Sequence, residues 1–118
     1  MRFLMMWYPD QPGGERPPDP GYMERMDRFV AAEMEAGVLQ ATGGLLPTSM
    51  GGATITARGG KFMVTDGPFT ESKEMIAGFA IVNVASLEEA VDAARRFTSI
   101  AGEGECGIRQ IIGGPENL

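Results

Sequence analysis

Gly78–Phe97, GFAIVNVASLEEAVDAARRF, changes its period halfway along. Gly78 to Val84 is a short, strongly apolar run, too brief for a helical unit and rich in strand-forming side chains, and it predicts a buried strand. Ser86 then opens SLEE, a capping box in which Ser86 and Glu89 satisfy each other's orphan amides, worth about 1 kcal/mol. Behind it Leu87, Ala90, Val91, Ala94 and Phe97 recur at helical spacing and mark a helix with one buried stripe. The stretch is one strand-then-helix half, and a similar half precedes it.

In that earlier half, residues 2 to 8 (RFLMMWY) predict a first strand. Pro9 to Pro20 holds too many Pro and Gly for regular structure and reads as a loop. Asp19-Pro20 suits a helix start, and Met23, Met26, Phe29, Val30 and Met34 follow at helical spacing until Gly37 supplies a left-handed stop. Val38 to Ala41 forms a short strand, followed by the glycine-flanked loop GGLLPTSMGG with Leu45, Leu46 and Met50 at its apolar tip. ATITAR and KFMVTD then make a hairpin around Gly59-Gly60, a pair that accepts the positive φ angles of tight hairpin turns. After the turn GEGECG, Gly107 to Ile112 is the last strand. The methionines, Met5, Met6, Met23, Met26, Met34 and Met63, read first as core filling and second as an adaptable ligand lining.

The order β, α, several strands, α, β predicts an α+β fold: a ferredoxin-like antiparallel sheet with two helices on one face. Such a sheet should carry polar residues on its other face. It does not alternate in that way. Leu4, Met6 and Tyr8 oppose Phe3, Met5 and Trp7, and Phe79 and Ile81 oppose Ala80 and Val82, so both faces are apolar. A homodimer packed through the sheet faces would cover the second one, on the order of 800 Å² per partner.

The 118 residues fit a single domain spanning 1–118, and 43% hydrophobic with 22% charged residues is ordinary globular composition. A net charge of −6 with scattered basic residues argues against direct nucleic-acid binding. Cys106 is the one cysteine and histidine is absent, so no internal disulfide, histidine metal site or Ser-His-Asp arrangement is expected. GEGECG matches G-x-G-x-x-G only formally, since it follows a helix and precedes a strand, and no cofactor is expected. The apolar start is too short for a signal peptide or a membrane span, and a cytoplasmic protein is expected.

The strongest candidate for chemistry is Val64–Glu74, VTDGPFTESKE. It reads two ways. As a corner, Gly67 is biased to extended geometry by Pro68, Asp66 closes an Asx-type turn, and Phe69 tucks into the core. As a site, Asp66 is the catalytic candidate, with Arg58, Glu71, Lys73, Glu74 and Arg109 as substrate-binding residues. A carboxylate acting as a base near neutral pH would need burial to raise it, and Lys73 pushes the other way.

DGPFTESKEMIAGFAIVNVASLEEAVDAARRF resembles the signature of the YCII-related, or DGPF-domain, family, and the similarity extends from MRFLMMWY to GIRQI. The matching positions are Asp66, Gly67, Pro68, Phe69, Glu71, Lys73, Glu74, Gly78 and Phe79, the start of the second helix, and Arg109. The resemblance implies a ferredoxin-like fold that dimerises into an α/β barrel, and it implies no reaction. A His-Asp pair proposed as catalytic in the wider superfamily cannot be carried over without a histidine; only Asp66 matches. Related proteins are often encoded near extracytoplasmic-function sigma factors. Two functions follow: a small-molecule-binding protein or enzyme with a pocket near Asp66, or a non-catalytic accessory protein binding a partner such as a sigma-factor system.

Overall fold

The computed structural model describes residues 1–10, 20–47, 50–66 and 76–114. The elements are β1 (Arg2–Pro9), α1 (Tyr22–Glu35), β2 (Leu39–Gly44), β3 (Ala53–Arg58), β4 (Lys61–Asp66), β5 (Gly78–Asn83), α2 (Leu87–Ala101) and β6 (Gly104–Gln110). Four strands form an antiparallel sheet in the order β2-β5-β1-β6, while β3 and β4 pair only with each other. With the hairpin set aside, the β-α-β-β-α-β connectivity and strand order are ferredoxin-like. The protein is an α+β fold.

Register assigns the two apolar faces that the sequence could not rank. Met5 lies opposite Ala80 and Ile108, and Phe3 opposite Val82. These residues face the helices, where Phe3, Met5, Leu39 and Val82 pack against Ala90, Ala93 and Ala94 of α2 to form the buried core. Leu4 lies opposite Ile81 and Arg109, and Met6 opposite Phe79, on the other face. Both described helices pack on the Phe3 side.

Local signals account for most element ends. Ser86 Oγ accepts from Glu89 N–H at 3.1 Å, but Glu89 Oε2 reaches the amide of Ala85 at 2.7 Å, one residue before the expected one. Gly37 N–H bonds Met34 O and Val38 N–H bonds Glu33 O, a Schellman ending to α1. Gly59 and Gly60 have φ of 56° and 77°, as a type I′ hairpin turn requires.

Several expectations need correction. The helix begins at Tyr22 after Gly21, with no side-chain cap, instead of at Asp19-Pro20; Asp19 lies outside the described residues. The second strand runs on to Gly44, because pairing with β5 continues through Gly43 and Gly44 after a bulge at Gln40. The last strand starts inside GEGECG, at Gly104, and ends at Gln110, because it pairs with β1 out to Pro9. Gly104 is needed there: a Cβ would lie 2.6 Å from Tyr8 O and 2.7 Å from the Trp7 ring. Met23, Met34, Met63 and Leu87 are exposed instead of core residues, and α2 meets the sheet through Ala90, Ala93 and Ala94. Phe69 lies outside the described residues.

Candidate functional site

The alanines and glycines that bring helices near the sheet also leave space between the layers. A cavity of about 310 Å³ lies there, walled by Met5, Trp7, Val82 and Cys106 from the sheet and by Met26, Phe29, Val30 and Phe97 from the helices. Alanine and glycine at Ala80, Ala93, Gly43 and Gly78 contribute backbone and little bulk. Its volume falls at the lower end of the range for small-molecule sites. The Trp7 and Phe97 rings meet edge to face, with centroids 5.2 Å apart and planes at 86°, which fixes one wall.

Glu33 is the one charged residue among the described lining. It occupies a stripe position of α1, seven residues after Met26, and its side chain is only 13% exposed. The carboxylate is compensated from α2: Arg96 donates to Glu33 Oε1 through Nε at 3.0 Å and Nη2 at 2.7 Å. Both bonds fall on one oxygen, so the second can receive a donor without breaking the pair. Cys106 has a different character. Burial pushes its thiol above its ordinary value, so at neutral pH it stays protonated, a weak donor and a poor nucleophile. Thr42 Oγ1, at the rim, donates to the carbonyl of Phe79 at 2.9 Å. The arrangement suits an apolar guest with one polar end, and it contains no activated nucleophile among the described residues.

Of the residues singled out from the sequence, Arg58, Asp66 and Arg109 lie in described elements and stand apart from one another. Asp66 ends β4, its backbone paired with Ala53 at the hairpin base; its side chain, together with Glu71, Lys73 and Glu74, lies outside the described residues. Arg58 pairs with Lys61 at the hairpin tip, about 17 Å of strand away from Asp66. Arg109 is exposed on the sheet face opposite the cavity, beside Leu4. Neither Arg58 nor Arg109 lines the cavity.

Glu33, Arg96 and Cys106 escaped the sequence reading. The available signal was Glu33 itself, an acid set among Met26, Phe29 and Val30 at helical spacing. Its partner lies 63 residues away, on another helix.

The model of the YCII-related domain matches residues 1–112. The chain belongs to the YCII-related family. An uncharacterised protein of Rhizobium meliloti (strain 1021) is 40% identical over 80 residues, covering 64% of this chain and 64% of that relative. The match thus spans just under two thirds of the relative's length. Among solved structures, 5-chloro-2-hydroxyhydroquinone dehydrochlorinase from Burkholderia phenoliruptrix AC1100, in complex with 2,5-dihydroxybenzoquinone, is similar at 21% identity and a TM-score of 0.46, over 100% of each chain. No helix among the described residues of this YCII-related chain is long and apolar enough to cross a membrane.

Proposed function

We propose that this YCII-related protein binds a small, largely apolar molecule between its helices and its sheet, with Asp66 as the acid–base or anchoring group. The cavity carries the reading: about 310 Å³, aromatic at one wall, with a single compensated carboxylate. Ala77 and Gly78, which line it, follow directly in the chain from the stretch containing Asp66, Glu71, Lys73 and Glu74. That continuity supports a polar group from this stretch at the cavity edge. Lys73 takes the anion-holding role, since Arg58 and Arg109 stand apart from the cavity.

The same reading makes the protein a homodimer through the open sheet face, closing into an α/β barrel. Leu4, Met6, Tyr8, Phe79 and Ile81 would supply the contact. A standard contact of about 800 Å² per partner would cover that face.

A thermal-shift screen of small aromatic and quinonoid compounds tests the site, comparing wild type with Ala80→Leu, which fills the cavity, and Asp66→Ala. Stabilising ligands should lose their effect in Ala80→Leu. A response unchanged in Ala80→Leu refutes the cavity, and one unchanged in Asp66→Ala removes Asp66 from the site.

A further inference from the structure

The β3–β4 hairpin is built as a half-buried element, yet among the described residues nothing of its own chain buries it. Its register places Ile55 opposite Val64 and Ala57 opposite Phe62 on one face, and Thr54 opposite Thr65 and Thr56 opposite Met63 on the other. One face is therefore apolar and the other mostly threonine, the alternation of a sheet with one side in a core. Yet Ile55 is 67%, Phe62 78% and Val64 62% exposed. The hairpin joins neither edge of the main sheet. Its apolar face presents roughly 400 Å², as much as the largest patch of an ordinary soluble monomer.

We infer that this hairpin is an arm whose apolar face, Ile55, Phe62 and Val64, packs on a second copy of the chain. The inference rests on the homodimer proposed above and adds a second contact to the sheet-face one. Two observations favour a second copy as the occupant. The arm's exposed apolar face, roughly 400 Å² per chain, is about half of a standard contact of about 800 Å² per partner, so it adds substantially to a sheet-face contact. The arm tip is basic, with Arg58 and Lys61 both exposed, on a chain whose net charge is −6, so the tip of one copy is drawn to the acidic body of another. In a two-fold dimer each arm contact forms twice, so one apolar stripe per chain adds two contacts to the assembly.

The test combines sedimentation with crosslinking. Phe62→Glu/Val64→Glu should weaken the dimer at least 100-fold, while Thr54→Glu/Thr65→Glu, on the polar face, should change its Kd less than twofold. In a mixture of isotopically light and heavy chains carrying p-benzoylphenylalanine in place of Phe62, illumination should give light–heavy crosslinks. That readout uses the folded chain and holds even where the glutamate variant misfolds. Crosslinks confined to one chain, or a dimer whose Kd is unchanged by the arm substitutions, overturn the arm and leave the sheet-face dimer standing. A wild-type monomer at ten micromolar overturns both. A dimer that Leu4→Glu leaves intact, but that the arm substitutions dissociate, overturns the sheet-face contact alone.

Discussion

Replacing Gly104 with alanine tests how the sheet edge sets the cavity wall. The added Cβ would lie 2.6 Å from Tyr8 O, 2.7 Å from Trp7 Cη2 and 2.9 Å from Pro9 Cα. All three separations are closer than real Cβ contacts, and two of the neighbours are backbone atoms that cannot rotate aside. The end of β1 must then move away from β6, or the Trp7 ring must swing out. Overpacking of this kind costs about 1–3 kcal/mol. Disturbing the Trp7–Phe97 contact adds about 0.5–1.5 kcal/mol. We expect a loss of about 3 kcal/mol and a fall in Tm of roughly 12 °C. Gly107→Ala is the matched control, three residues further along β6, where the nearest atom is the flexible Met6 Cε at 3.4 Å. It should cost under about 1 kcal/mol. Urea denaturation at equal chain concentration measures both, because any self-association adds to apparent stability. Trp7 is the one tryptophan, so its fluorescence reports directly on the wall and should shift in Gly104→Ala but not in Gly107→Ala. Equal stabilities for the two variants, within about 0.5 kcal/mol, would refute the packing argument.

Other consequences can be checked with simpler measurements. Ser86→Ala should destabilise by about 1 kcal/mol through loss of the cap on the Glu89 amide, read from denaturant midpoints. A double-mutant cycle on Glu33→Ala and Arg96→Ala should give a coupling of about 0.5–1 kcal/mol, discounted because Arg96 is 47% exposed, and smaller in 1 M salt than in 0.05 M; a coupling of zero would refute a stabilising ion pair. The Cys106 thiol should react with a disulfide reagent more slowly than a free cysteine at pH 8, and reach the free rate once the chain is unfolded. Because its folded value lies above the ordinary 9.0, the unfolded chain loses the proton first. Its contribution to stability is therefore complete below about pH 9 and declines as pH rises through the folded value. Cys106→Ala should flatten that alkaline decline.

Much of the architecture was legible residue by residue. The SLEE box, the stripe of Ala90 and Ala94, the Gly59-Gly60 turn and the Gly37 stop are local devices, and each acts where the sequence puts it. The errors lie where pairing overrides local preference. Residues 104–106 look like a flexible turn, yet β1 extends far enough to hold them as strand. Gly43 and Gly44 look like the start of a loop and are held by β5. Leu87 and Met23 stand at stripe positions but are exposed.

The sequence by itself determined the element order, the family and the presence of two apolar sheet faces, because periodicity, caps and turns act over a few residues. It could not say which face meets the helices, since Phe3 and Leu4 are equally fit for a core until strand register and helix packing choose between them. Nor could it join Glu33 to Arg96 or bring Cys106 to the cavity that Glu33 lines, because those neighbours meet only when the two helices settle on one side of the sheet. The hairpin shows both limits at once. Its alternation declares that one side should be covered, and only the tertiary structure reveals that Ile55, Phe62 and Val64 stay exposed among the described residues.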